Sequence, residues 1–192
     1  MHAQVSLRRV QQRLAGRAIT ALDRRGKYLL LRLDGGETLI SHLRMTGNWL
    51  VPAGDEPPHV RAAIDRLPTE HRDSARVVFT AHSVPMSMAQ ASPYVGELEH
   101  ASATVAAAVG VADWKLVYQS RSGPPTQPWL EPDVVDHLRT LPRGSRVVIA
   151  PIGFLSDHME VLYDLDIEAR AACEELGITM ARAGTVGSHP SM

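Results

Sequence analysis

Residues 145–183 read SRVVIAPIGFLSDHMEVLYDLDIEARAACEELGITMARA. Val147–Ala150 is an unbroken apolar run, and Pro151 and Gly153 end it in a turn. Helical spacing follows from about Ser156, with Ser156 or Asp157 placed to cap the helix, and Gly177 closes it before a second short apolar run. Strand, helix and strand joined in this way form a parallel crossover unit. An apolar run without polar alternation suits a strand covered on both faces.

The same rhythm extends backwards to residue 57. HVRAAIDRL reads as helix, ARVVFTA as strand, a stretch inside Ala89–Val109 as helix, WKLVYQS as strand and PDVVDHLRTL as helix. The expectation is an α/β fold, a partial Rossmann-like parallel sheet with flanking helices. No Gly-x-Gly-x-x-Gly fingerprint accompanies it, so the fold class carries no dinucleotide claim.

Ahead of residue 52 the pattern changes. RAITALD, KYLLLRL, ETLISHL and NWLV are short β-prone runs, with an Asp34-Gly35-Gly36 turn between the second and third, which predicts an antiparallel meander. VPAGDEPP (residues 51–58) is the best boundary, giving segments 1–56 and 57–192. Charge divides nearby: residues 1–50 carry nine Lys/Arg against three Asp/Glu, and residues 51–192 carry eleven against eighteen. The first segment suits a polyanion and the second suits cations.

Cys173 is the sole cysteine. It excludes an intramolecular disulfide and an iron–sulfur cluster held by cysteines of this chain alone, and the expected setting is a reducing cytoplasm. No apolar run approaches the roughly 20 residues that span a bilayer, and MHAQVSLRRVQQRLAG lacks the apolar core of a signal peptide.

Open parallel sheets bind ligands beyond the carboxyl ends of their strands, so residues just after strands come first. His82 ends the first strand of the second segment, in FTAHSVP. It can ligate a metal or accept a proton, or be a loop histidine satisfied by a backbone carbonyl. Glu160, Asp164 and Glu168 recur every four residues on a helix, with no Lys or Arg at three or four residues from Glu160 or Asp164. They are hard oxygen ligands for a divalent cation, or a solvated acidic face. In YQSRSGPPTQPWL (residues 118–130), Gln119, Ser120 and Arg121 can contact the rim of a flat ligand that Trp129 walls, or Trp129 anchors the loop from beneath.

FTAHSVP, YQSRSGPPTQPWLEPD and PIGFLSDHMEVLYDLD, in this order and spacing, resemble the ferrochelatase family, including its bacterial coproporphyrin-type members. The resemblance implies a chelatase-type fold for residues 57–192 and insertion of ferrous iron into a porphyrin, coproporphyrin III or protoporphyrin IX. Iron is then a substrate and no permanent cofactor is required. It also implies that His82 and Glu160 face each other across the porphyrin cleft as catalytic and metal-binding groups. Asp164 and Glu168 join them on the metal path, and Ser83, Gln119, Ser120 and Trp129 fall in the substrate-binding motifs. A complete member has two similar α/β lobes and only the second has a counterpart here. A non-catalytic metal or porphyrin binder therefore stands beside catalysis.

RLAGRAITALDRRGKYLLLRLDGGETLISHLRMTGNWLV resembles part of the N-terminal domain of formamidopyrimidine-DNA glycosylases. That likeness implies DNA contact by Lys27 and a wedge at Met45. The catalytic amino-terminal Pro-Glu is absent, since the chain begins Met1-His2-Ala3. The remaining alternative is a DNA-binding remnant, and the tandem of two incomplete, unrelated families reads as a chimera joined near residues 52–57.

Overall fold

The computed structural model describes residues 14–25, 28–41, 58–124 and 126–185. The chain divides into two compact units, Met1–Gly47 and Asn48–Met192.

In the first unit, β1 (Ile19–Arg25), β2 (Tyr28–Leu33) and β3 (Thr38–Ser41) form an antiparallel sheet in the order β1-β2-β3. The Asp34-Gly35-Gly36 turn joins β2 to β3. Gly36 sits at φ +79°, which a residue with a side chain rarely adopts, and its N–H donates to the Leu33 carbonyl at 3.0 Å. Across β1 and β2, Arg32 Nε donates to Asp23 Oδ2 at 2.8 Å. Lys27, Met45 and the NWLV run lie outside the described residues.

The second unit opens with α1 (Pro58–Asp65) and α2 (Thr69–Arg72). It continues through β4 (Arg76–His82), α3 (Met86–Gln90), α4 (Tyr94–Ala108), β5 (Trp114–Gln119), α5 (Val134–Arg139) and β6 (Arg146–Ala150). A long helix follows, built from α6 (Met159–Val161), a π-helical segment (Leu162–Ala169) and α7 (Arg170–Leu176), and β7 (Thr179–Arg182) ends the unit. All strand pairs are parallel, in the order β5-β4-β6-β7.

The sequence explains the layering. Val77, Phe79 and Ala81 of β4 point into a core shared with Val60 and Ile64 of α1 and with Tyr94 and Leu98 of α4. Val78 joins Val117, Val147 and Ile149 in a second core against Val134 and Leu138 of α5 and Val161, Leu165 and Ala169 of the long helix. Alternate residues of one apolar strand thus serve opposite faces, the pattern of a sheet sandwiched between helices.

Two local expectations are corrected. Residues 162–169 are π-helical, so their bonds run i→i+5 over a wider turn than the α-helix that four-residue spacing predicts. The cap is His158, which makes no side-chain capping bond, in place of Ser156 or Asp157. The Asp157 carboxylate faces Arg182 in a two-point contact, a charge-assisted pairing stronger than the roughly 1 kcal/mol of a side-chain cap.

Candidate functional site

After β4 the chain goes to β5 on one side and returns to β6 on the other, so strand order reverses between β4 and β6. At such a switch point the carboxyl ends of neighbouring strands open a crevice. His82, the last residue of β4, stands at it, and so does the turn after β6. That turn packs closely against β4: the Gly153 N–H donates to the Thr80 carbonyl at 3.0 Å. A Cβ on Gly153 would lie 2.6 Å from the Ala81 Cβ.

His82 is held on two sides. Its carbonyl accepts the Tyr94 hydroxyl at 2.9 Å, and its ring Nδ1 lies against the Ser83 carbonyl. Burial, with Tyr118 adding to it, pushes the Tyr94 phenol far above its ordinary range, so it stays a neutral donor. Because a carbonyl only accepts, Nδ1 carries a hydrogen there, which leaves Nε2 as the ring atom that faces the crevice. There Nε2 is 3.9 Å from Glu160 Oε2, and the same oxygen is 3.9 Å from His158 Nδ1. The His158 ring leans edge-on against Phe154, with centroids 5.4 Å apart.

The sequence reading missed His158, although it stands in the same SDHME stretch as Glu160. A histidine two residues before a nominated carboxylate was the available signal.

The second motif braces the first. Ser83 is buried, its Oγ donating to the Leu130 carbonyl at 2.9 Å and its N–H to the Gln119 carbonyl at 2.7 Å. Leu130 N–H returns a bond to the Val84 carbonyl at 3.0 Å, and Pro85 bridges to Trp129. Trp129 is buried with its indole under Gly123, where an added Cβ would come within 2.4 Å of the ring. It fills the interior of the loop.

Gln119 and Ser120 turn to the long helix: Gln119 Nε2 donates to Asp164 Oδ2 at 3.1 Å, and Ser120 Oγ donates to the same oxygen. Ser120 holds φ +60°, a left-handed conformation uncommon outside glycine that stores roughly 1–3 kcal/mol.

The structure brings His82, Glu160 and His158 together, and separately joins Asp164 to Gln119 and Ser120. Glu168 lies exposed farther along the helix. Among the described residues no group of three or more His, Cys, Asp or Glu converges on a single metal-binding point. The arrangement is a file of donors: two imidazoles around one carboxylate, then a carboxylate held by neutral donors, then an open one. Such a file can pass a divalent cation or protons between successive groups. Among the described residues no helix is long and apolar enough to cross a membrane.

The Ferrochelatase family model matches residues 56–192, and the model of the formamidopyrimidine-DNA glycosylase N-terminal domain matches residues 1–81. A coproporphyrin III ferrochelatase of Nocardia farcinica is 53% identical over 141 residues, covering 68% of this chain and 40% of the relative. A ferrochelatase of Rhodopirellula baltica is 46% identical over 161 residues, covering 81% of this chain and 45% of the relative. The chain thus spans less than half the length of these curated relatives. A cobalamin (vitamin B12) biosynthesis CbiX protein of Marinobacter aquaeolei superposes with a TM-score of 0.42 at 14% identity, over 61% of this chain and 86% of that one.

Proposed function

Because the chain belongs to the ferrochelatase family, we propose that residues 57–192 form the metal-handling wall of an enzyme that inserts ferrous iron into a porphyrin. The porphyrin we assign is coproporphyrin III, the substrate in the name of the Nocardia relative, and the setting is the bacterial cytoplasm. The observation that carries the reading is the 3.9 Å approach of Glu160 Oε2 to His82 Nε2 at the switch point of the sheet.

Insertion requires three things: removal of two pyrrole N–H protons, loss of water from the iron, and a neutral acceptor beside the ring. In this proposal Nε2 of His82 accepts one pyrrole proton, hands it through Glu160 towards solvent and then accepts the second. Glu160 stabilises the resulting imidazolium and passes the proton or the cation on. His158 holds the other side of the Glu160 oxygen, as a second imidazole ligand or relay. Asp164, oriented by Gln119 and Ser120, and the exposed Glu168 extend the file towards solvent. Ser83 and Trp129 act through the loop they fix. Iron enters as substrate, with oxygen and nitrogen donors suited to stepwise desolvation.

The test mixes the purified chain with ferrous iron and coproporphyrin III under anaerobic conditions and follows the absorbance of the iron–coproporphyrin product. Product formation that falls by about two orders of magnitude or more in His82→Ala supports the proposal. No product from the parent chain refutes turnover by this chain alone, and unchanged turnover in His82→Ala removes the histidine from the mechanism.

A further inference from the structure

Arg182 ends β7, and its backbone is set in the sheet by pairing with Ile149 of β6 and by Arg66, whose Nη2 donates to the Arg182 carbonyl. Its side chain is 14% exposed. Nη1 and Nη2 donate to the two oxygens of Asp157 at 3.0 and 3.3 Å, and Nε donates to Asp166 Oδ1 at 2.8 Å. One guanidinium therefore joins the residue just before His158 to the middle of the π-helical segment. These two anchors bracket Glu160 and Asp164 in sequence.

We propose that Arg182 is a positioning residue that fixes the rotation of the long helix about its axis, and with it the approach of Glu160 to His82. The inference rests on the chelatase reading of Glu160. Residues two apart on a helix point to roughly opposite sides, about 200° apart in an α-helix and somewhat less in the wider π-helical turn. Asp164 faces the end of β5 through Gln119 and Ser120, so Asp166 faces away towards β7, where Arg182 meets it. The helix is gripped on opposite sides. A π-helical turn needs such outside support, because its own geometry is less favourable than that of an α-helix. Asp157 fixes the entry, since no side chain caps the helix at His158.

Without the grip, a rotation of some 10° moves a carboxylate tip by on the order of 1 Å, enough to spoil a site whose donors must be placed that closely. A lysine at 182 carries the charge as a single point and cannot span both carboxylates as the fork does.

The experiment titrates the full chain with Co2+, reading affinity and the visible absorption of the bound ion, with far-UV circular dichroism to verify folding. The parent chain binds Co2+ and Glu160→Gln abolishes the binding. Arg182→Lys, and separately Asp157→Asn, which loosens one arm only, keep the fold but weaken Co2+ binding by about 10-fold or more and alter its absorption. Arg170→Met removes the other cation near Asp166, which lies 3.6 Å away on the same helix, and leaves Co2+ binding unchanged. Folded Arg182→Lys and Asp157→Asn chains that bind Co2+ like the parent overturn the proposal. Equal weakening in Arg170→Met overturns it too, because loosening Asp166 from within the helix would then do as much as losing the fork from β7. Parent binding that is absent or insensitive to Glu160→Gln sinks the chelatase reading itself, a result distinct from a normal parent beside normal Arg182 and Asp157 variants.

Discussion

Gly153→Ala is expected to strike stability and the site together. The added Cβ would lie 2.6 Å from the Ala81 Cβ and 2.8 Å from its Cα, the second of which is backbone and cannot rotate aside. To reach ordinary van der Waals contact the turn must retreat by roughly 0.7 Å. That lengthens the bond from Gly153 N–H to the Thr80 carbonyl, now 3.0 Å, beyond hydrogen-bonding range. Overpacking contributes about 1–3 kcal/mol and the lost bond about 0.5–1.5 kcal/mol, for a total of roughly 2–4 kcal/mol.

In urea, where small proteins lose about 1–3 kcal/mol per molar, the midpoint should fall by on the order of 1–2 M with an unchanged slope. Ala81→Gly alone costs about 1–2 kcal/mol through strand entropy and one lost methyl. Combined with Gly153→Ala it removes the nearer clash and leaves the contact with Cα. The double variant should therefore be more stable than the sum of the two singles by about 1 kcal/mol, a partial rescue. A Gly153→Ala midpoint equal to that of the parent chain, or strictly additive effects in the double variant, refutes the close-approach argument.

Leu165→Ala empties a fully buried position beneath the π-helical segment and should lower stability by about 3 kcal/mol in a denaturant titration; a loss under about 1 kcal/mol would mean the helix collapses onto the gap. Burial pushes the Cys173 thiol up to about 11, so a disulfide reagent at pH 8 should label it only after urea unfolds the chain, and labelling at the native rate of an exposed thiol contradicts that burial. Burial also raises the Asp133 carboxyl, against the bond it accepts from Val135 N–H. The folded state then holds the proton more tightly than the unfolded chain, and this stabilisation, complete below the ordinary aspartate range, is lost as pH rises through the folded value. Asp133→Asn keeps the capping acceptor and cannot titrate, so its stability relative to the parent should improve as pH rises across that window; a pH-independent difference rules the shift out.

The parallel sheet was legible because its two central strands, β4 and β6, are almost wholly apolar runs bounded by turn residues, and burial on both faces is what such a run requires. The Asp34-Gly35-Gly36 hairpin was legible for a local reason too, a turn that demands positive φ at Gly36. What stayed hidden depends on distant partners. Asp157 looks like a helix cap until Arg182, 25 residues on, claims both its oxygens. Trp129 reads equally as a cleft wall or an anchor, and the loop partner that buries it, Gly123, lies six residues back along an irregular stretch with no periodic signal. The π-helical turn leaves no periodic signature of its own, since four-residue spacing of carboxylates fits either winding. The nominated His82 and Glu160 do approach one another, whereas Lys27 and Met45 lie outside the described residues.

The acidic helix is better understood by its partners than by its spacing. Asp166 is neutralised by Arg182 and Arg170, and Asp157 by Arg182, so these carboxylates hold structure. Asp164 is met by an amide and a hydroxyl, which orient it without cancelling its charge. Glu160 is met by two imidazoles, groups whose charge depends on whether a proton has arrived. The five carboxylates of residues 157–168 thus separate into two locked by guanidinium, Asp157 and Asp166, and three, Glu160, Asp164 and Glu168, with no guanidinium contact described. Glu160, Asp164 and Glu168 have no Lys or Arg three or four residues away, but neither has Asp157, so sequence spacing alone does not separate the two groups. The spacing of those three gave them one face, and the guanidinium that meets Asp166 on the opposite side holds Glu160 towards His82 and Asp164 towards Gln119 and Ser120.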